Sequence, residues 1–261
     1  MFKLALGAGH GLATSGKRCL KSLDPKETRE WYLNDRICDY IEQELKKYEN
    51  ISILRLDDSD DGADDVALEV RTNAANKWGA DFYLSIHHNA GLNGAAGGGI
   101  EAFSLTEKGE GALWRDKLYA ELVKETGLKG NRADGTKTAN FWVLRKTNMP
   151  AVLLELGFMD SPTDVPIILT DSYAKKCAKA IVNVIVNQKQ LKKKTIMKED
   201  EENMDVATFT NLYRQMRKTF QDNDASEWSE EAREWAVKKN LVQGSTAGAF
   251  NGMWEDTLTR E

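Results

Sequence analysis

Short apolar runs alternate with longer amphipathic stretches over residues 1–189. The clearest amphipathic stretch covers 27–47, where apolar side chains recur every three or four positions, as they do on one face of a helix. The clearest apolar run is AVLLE at 151–155, which is typical of a buried strand. Together the patterns predict strands at 2–6, 51–56, 81–86, 99–104, 141–144 and 151–155, and helices at 27–47, 66–78, 109–126 and 172–188. Strands that alternate with helices predict an α/β domain with a twisted, mostly parallel or mixed sheet flanked by helices.

The pattern changes after residue 189. Residues 190–204 carry basic and then acidic side chains with little to bury, which predicts a linker. Residues 205–261 regain an apolar periodicity, and Gly244 follows that stretch as a stop signal. We therefore expect one domain over 1–189, a linker over 190–204 and a small helical module over 205–261.

Charge and composition exclude several kinds of partner. The formal net charge is -5, with 36 basic and 41 acidic side chains, so no nucleic acid is expected as a partner. No apolar run approaches the roughly 20 residues that span a bilayer, so no membrane partner is expected either. The three cysteines form no CxxC pair, which argues against a disulfide framework or a cysteine-bound zinc. The apolar run after Met1 is too short for a signal peptide, so we expect synthesis in the cytosol.

All three histidines lie in two short motifs at the ends of predicted strands. His10 closes LALGAGH, while His87 and His88 close FYLSIHH. Ligands of α/β sheets bind beyond the carboxyl ends of the strands, and neutral imidazole is the commonest metal-ligand side chain. A catalytic zinc usually has three protein ligands, so a carboxylate is expected to complete the site. The residues alone leave Glu27 and Glu30 open for that position.

A second carboxylate is expected to act as the general base. Glu155 ends the strand AVLLE, and burial at such a position raises the pKa of a carboxyl group toward a useful range. His87 and His88 are not both expected to bind one metal, because neighbouring residues of an extended chain point to opposite sides.

Four motifs in this order resemble the zinc-dependent N-acetylmuramoyl-L-alanine amidases. They are GAGHG, then Glu30 with Asn34 four positions later, then ADFYLSIHHNA, then MPAVLLELGFMD. The resemblance covers about 1–189 and implies a twisted sheet flanked by helices. It implies that His10, Glu30 and His87 bind Zn²⁺ and that Glu155 is the catalytic glutamate.

His88 and Asn89 lie inside one of these motifs. His88 is expected to be a neighbour of the ligands that supports them through hydrogen bonds. Asn89 either holds a group of the substrate or shapes the turn that follows.

The resemblance also implies a reaction. A zinc-activated water would cleave the amide between N-acetylmuramic acid and L-alanine in bacterial peptidoglycan. Two other functions are alternatives: a zinc peptidase that cuts within the stem peptide, and a wall-binding protein without catalysis, against which the presence of all four residues counts.

The segment SEWSEEAREWAVKKNLVQG, within 205–261, is similar to repeats of the surface-layer-homology type. This similarity implies a module that binds the cell wall. Such a segment can also mediate oligomerisation, dock on the first domain or be incomplete. A wall hydrolase that carries such a module and no signal peptide resembles a phage or prophage endolysin made in the cytosol.

Overall fold

The computed structural model describes residues 1–57, 60–130 and 135–194. Strands and helices alternate through this part of the chain, as the sequence pattern predicts. In chain order the elements are β1 (Phe2–Ala8), α1 (Glu30–Leu45), β2 (Ile51–Arg55), α2 (Leu68–Trp78), β3 (Phe82–Asn89), β4 (Ile100–Ser104), α3 (Glu110–Thr126), β5 (Thr136–Thr138), α4 (Trp142–Arg145), β6 (Ala151–Phe158), α5 (Val165–Ile168) and α6 (Asp171–Lys189).

The strands form one six-stranded sheet in the order β2-β1-β3-β6-β4-β5. All neighbouring pairs are parallel except β4 and β6, which run antiparallel. The prediction of an α/β fold with a mixed sheet is therefore confirmed. β6 lies between β3 and β4, so residues far apart in the chain meet in the middle of the sheet.

Both faces of the sheet are covered, which explains why its central strands read as continuous apolar runs. On one face, Leu84 and Leu154 join a core with buried side chains of α1, α3 and α6. On the other face, Tyr83 and Leu153 join a second core with Ala75 of α2 and residues of α4.

One predicted element is wrong in type. The run 141–144 was expected to be a strand, but residues Trp142–Arg145 form the short helix α4. Val143 and Leu144 are adjacent and both buried, which suits a helical turn packed on the sheet and not a strand with alternating faces. A short apolar run cannot distinguish the two conformations by its periodicity.

Two elements were not predicted at all. β5 is the three-residue edge strand Thr136–Thr138, and its polar sequence TKT carries no hydrophobic pattern. α5 covers only Val165–Ile168. Both are short, and only their contacts with the rest of the domain define them.

β3 is longer than predicted and runs to Asn89. His87 and His88 therefore lie within the last residues of this strand and not beyond it. The pairing with β6 shifts register between His87 and Asn89. Such irregularities re-aim side chains and are frequent beside active sites.

The end of α6 leads into residues that belong to the same compact unit, which covers Met1–Lys194. The amide of Glu49 donates to the carbonyl of Lys192, and that of Lys194 donates to the carbonyl of Lys47. The start of the predicted linker is thus paired with the chain that follows α1. The predicted module at 205–261 lies outside the described residues. No helix in the described ranges is long and apolar enough to cross a membrane.

Candidate metal centre

Three side chains from three different elements converge at the carboxyl end of the sheet. His10 follows β1, Glu30 is the first residue of α1, and His87 lies near the end of β3. Their ligating atoms all lie within 4.8 Å of one another. Among the described residues, these three form the one group of histidine, cysteine and acidic side chains placed to share a metal ion.

Glu30 is the centre of the group. Its Oε1 atom lies 3.1 Å from His87 Nδ1 and 3.5 Å from His10 Nε2. The backbone amide of His88 donates to the same oxygen over 3.3 Å. Its Oε2 atom lies 3.6 Å from the ammonium of Lys17. The side chain is only 1 % exposed, so these contacts replace its hydration.

The surroundings favour an anionic carboxylate at Glu30 and a neutral imidazole at His10. Burial acts to raise the pKa of Glu30, but the hydrogen bond to His87 and the nearby positive charges hold it at about 2. Burial lowers the pKa of His10 to about 4, against the opposing charge of Glu30. Deprotonated carboxylate and neutral imidazole are the forms that bind metals.

The second ring nitrogen of His87 also has a partner. Its Nε2 atom lies 3.1 Å from Ser85 Oγ, two residues earlier on the same strand. Ser85 is 3 % exposed, so this hydroxyl is fixed inside the domain. The arrangement leaves His87 Nδ1 facing Glu30 and the centre of the group.

The backbone that carries His10 is held by buried side chains. Arg71 donates to the carbonyls of Ala8 and His10, and Asn34 donates to the carbonyl of Gly9 between them. Three consecutive carbonyls are therefore bound by side chains. His10 itself has φ 66°, a left-handed conformation that is uncommon for residues other than glycine. The held carbonyls on both sides stabilise this conformation.

Glu155 lies on β6 beside this group, and the sheet places it directly opposite His87 of β3. Its Oε2 atom is buried and has no hydrogen-bond partner among the described residues. Burial raises the pKa of Glu155 well above its usual range, and the charge of Glu30 adds to the effect. The carboxylate is thus poised to take up a proton.

The other residues singled out by the sequence lie around the centre. His88 is buried on the opposite side of the strand from His87, with Nδ1 2.8 Å from Asn34 Oδ1. Asn89 donates to Glu101 Oε2 over 2.9 Å. Glu27, which the residues alone left open as a ligand, lies 3.1 Å from Arg18 and 3.7 Å from Lys21. It is therefore engaged by surface cations away from the two histidines.

The donor set fits zinc. Two imidazoles and one carboxylate are a known catalytic zinc arrangement that keeps a position open for water or substrate. Glu30 Oε2 is buried and accepts no hydrogen bond from the described residues, which is costly for a carboxylate oxygen unless a cation offsets it. Lys17 offsets it in part.

Comparison with known proteins assigns the chain to a protein family. Residues 4–187 match the family model described as N-acetylmuramoyl-L-alanine amidase. The chain belongs to this family. The matched segment of the amidase runs from within β1 to within α6 and contains the whole metal centre.

Relatives of the amidase agree with this assignment. It is 34% identical to the N-acetylmuramoyl-L-alanine amidase CwlM of Bacillus licheniformis over 194 residues, which cover 74% of this chain and 71% of the relative. It is 37% identical to the sporulation-specific N-acetylmuramoyl-L-alanine amidase of Bacillus subtilis (strain 168) over 148 residues, covering 56% of this chain and 54% of the relative. The chain thus spans about half the length of that second relative.

A solved structure shares the fold of the amidase. The catalytic domain of CwlV, an N-acetylmuramoyl-L-alanine amidase from Bacillus (Paenibacillus) polymyxa var. colistinus, superposes with a TM-score of 0.64 at 25% identity. The match covers 74% of this chain and 100% of that domain.

The His87 ring occupies the space beside Gly9, so only a glycine fits next to His10 in the amidase. A Cβ atom at this position would lie 2.1 Å from Cε1 of His87, which is far inside van der Waals contact. The sequence shows the glycine, but only the fold shows that it makes room for a ring from another strand.

We expect Gly9→Ala to displace the His87 ring and to weaken zinc binding by about 10-fold or more, as loss of support for a metal ligand does. Zinc affinity measured by competition with a chromophoric chelator checks this. Gly111→Ala is the control, because its Cβ would meet nothing closer than 3.5 Å. Equal zinc affinities for Gly9→Ala and the unchanged protein would contradict the expectation.

Proposed function

We propose that this chain hydrolyses the amide bond between N-acetylmuramic acid and L-alanine in bacterial peptidoglycan, with zinc as its cofactor. The observation that carries the proposal is the convergence of His10, Glu30 and His87 beside Glu155 in a chain of this family. The same four residues follow from the motif resemblance in the sequence.

The chain's side chains have separate roles in this proposal. His10, Glu30 and His87 hold the zinc ion. When bound, zinc supplies a Lewis acid that polarises a carbonyl and acidifies a water. Glu155 takes the proton of the attacking water and passes it to the amine that leaves, so it acts first as a base and then as an acid.

The position of Glu155 supports this proton transfer. Its side chain is partly buried and comes from the strand next to that of His87, so strand pairing fixes its backbone beside the metal centre. Burial stabilises the protonated form of a carboxyl group. Glu155 can therefore hold the proton between its release by water and its delivery to the leaving amine.

His88 and Asn89 support the centre without binding the metal in this proposal. The backbone amide of His88 donates to Glu30, and its buried ring contacts Asn34, which in turn holds the carbonyl of Gly9. Asn89 contacts Glu101, one strand beyond Glu155.

Mass spectrometry of purified peptidoglycan after digestion tests the proposal. Zinc-loaded protein is expected to release peptides with a free N-terminal alanine and to leave the glycan strands intact. Treatment with a chelator should stop the release, and added zinc should restore it. Peptides with another N-terminus would indicate a peptidase instead, and no release at all would indicate a wall-binding protein.

Ser85 gives a sharper test of how zinc is held. If His87 binds zinc through Nδ1, its Nε2–H donates to Ser85 Oγ, and this bond fixes the ring. Ser85→Ala is then expected to lower zinc affinity by roughly 10-fold. Competition with a chelator measures the affinity.

Ser52→Ala serves as the control for Ser85→Ala. Ser52 also lies on a strand, but its hydroxyl contacts the sulfur of Met1. Unaltered zinc affinity in Ser85→Ala would exclude this role for the hydroxyl.

Four finer expectations stay predictions. Wall binding and oligomerisation through 205–261 concern residues outside the described part of the chain. The endolysin role depends on that module as well. Action at the bacterial cell wall follows from the proposed substrate.

A further inference from the structure

A row of titratable side chains crosses one face of the sheet from the metal centre toward β5. His87 of β3 pairs with Glu155 of β6, and Glu155 pairs with Glu101 of β4. Residues directly paired on neighbouring strands project to the same face, with Cβ atoms about 5 Å apart. The row therefore continues past Glu155 into a part of the sheet that the proposed zinc chemistry does not use.

Glu101 is the buried member of this row, with 2 % of its surface exposed. Its Oε1 accepts from the ammonium of Lys137 over 2.6 Å, and its Oε2 accepts from Asn89 over 2.9 Å. Two carboxylates directly opposite each other on a sheet repel. Lys137 and Asn89 offset that repulsion between Glu101 and Glu155.

Lys137 is partly exposed to solvent, whereas a counter-ion that only neutralises a buried charge would be buried with it. It lies on the edge strand β5, and its side chain is 31% exposed. Its ammonium lies 5.9 Å from the ring centroid of Phe103. The ring of Phe141, 5.3 Å from that of Phe103, is itself 41% exposed. We call Phe103, Lys137 and Phe141 the β5 rim: a partly exposed cation held between a buried carboxylate and two rings, of which Phe103 is buried and Phe141 is exposed.

We propose that the β5 rim is a subsite for the peptide part of the substrate and that Lys137 binds a carboxylate of that peptide. The proposal rests on the proposed function. N-acetylated sugars carry no charge, and the lactyl carboxyl of muramic acid is used up in the scissile amide. A carboxylate near the reacting bond can therefore come only from the peptide.

The geometry supports a binding role for this ammonium. It has three N–H donors, and among the described residues one of them is used by Glu101. Because a buried carboxylate already fixes its position, little conformational entropy is lost when it binds a second anion. The exposed ring of Phe141 offers apolar contact to methyl groups on the same peptide.

Two soluble muramoyl peptides test the proposal. They differ only at the second residue of the peptide, which carries a free carboxylate in one and a carboxamide in the other. The zinc-loaded full chain is expected to cleave the carboxylate substrate with a kcat/KM roughly 10-fold higher, the size of a charge-assisted hydrogen bond. Lys137→Met is expected to bring the ratio of the two kcat/KM values close to one, mainly through KM. Lys137→Arg should restore part of the ratio.

Lys124→Met is the matched control, since Lys124 pairs with Glu121 on the exposed side of α3. It should keep the ratio of the unchanged protein. The double variant Glu101→Gln, Lys137→Met removes both charges of this ion pair together. It should show the same loss of ratio as Lys137→Met.

Two outcomes overturn the proposal. One is equal cleavage of both substrates by the unchanged protein. The other is an equal decrease for both substrates in Lys137→Met, which would assign Lys137 to neutralising Glu101 alone.

Calorimetric binding of the two free peptides separates this proposal from the proposed function. Lys137→Met should weaken only the carboxylate peptide. That difference decides the role of Lys137 even if the protein cuts peptidoglycan at another bond, and its absence would overturn the subsite.

Discussion

Replacing Glu155 with glutamine is expected to lower the rate of amide hydrolysis by roughly 10²- to 10⁴-fold, the usual contribution of a general base. Glutamine keeps the size of the side chain but cannot take up a proton. The three residues that converge at the metal centre come from other elements, so zinc should still bind. The measurements are kcat/KM on a muramoyl peptide and the zinc content of the same sample.

Glu110→Gln is the control for this experiment. Glu110 is an exposed glutamate at the start of α3, and its substitution should leave the rate unchanged. A Glu155→Gln variant that binds zinc and retains the rate within a few-fold would rule out Glu155 as the base.

Glu30→Gln is expected to have the second large effect, the loss of tight zinc binding. Glu30 Oε1 lies next to both histidines, and a neutral amide cannot replace an anionic ligand. Zinc affinity should fall on the order of 100-fold or more, beyond the effect of losing a supporting hydrogen bond. Chelator competition gives the affinity, and hydrolysis should fall with zinc occupancy.

Glu27→Gln is the matched control, because Glu27 lies three residues earlier and contacts Arg18 and Lys21 instead. It should bind zinc like the unchanged protein. Circular dichroism of the zinc-free proteins separates loss of a ligand from loss of folding, since Glu30 is buried. If Glu27→Gln lost zinc and Glu30→Gln kept it, the carboxylate ligand would have to be reassigned.

Long, strongly patterned elements could be predicted from the sequence, and short ones could not. The helix predicted at 27–47 exists as Glu30–Leu45 because its apolar side chains fill the space under the sheet. β5 is a strand only because β4 offers it an unpaired edge. Its three residues carry no signal of their own.

Some features of the candidate site could likewise be predicted from the sequence, and others could not. The sequence motifs predict His10, Glu30, His87 and Glu155 as site residues. The fold brings all four to the same end of the sheet. Periodicity could not choose between Glu27 and Glu30, since both lie at the start of the helix predicted at 27–47. The choice depends on where α1 begins, and its first residue is Glu30.

Side-chain contacts between residues far apart in the chain could not be predicted from the sequence pattern. Lys137 lies 36 residues from Glu101, to which it is bound. The carbonyls of Ala8 and His10 are held by Arg71, more than 60 residues away in the chain. The spacing of residues within a motif predicts contacts over one turn or one strand. Contacts between distant residues depend on the order of the strands in the sheet, which the spacing does not reveal.

The insertion of β6 between β3 and β4 also has a consequence for biosynthesis. All three residues of the metal centre are translated before residue 90, but Glu155 emerges only with residues 151–158. Until then, β3 and β4 of the nascent chain each lack their central neighbour. The order of translation therefore delays completion of the sheet, and of the group of residues at its carboxyl end, until β6 has emerged.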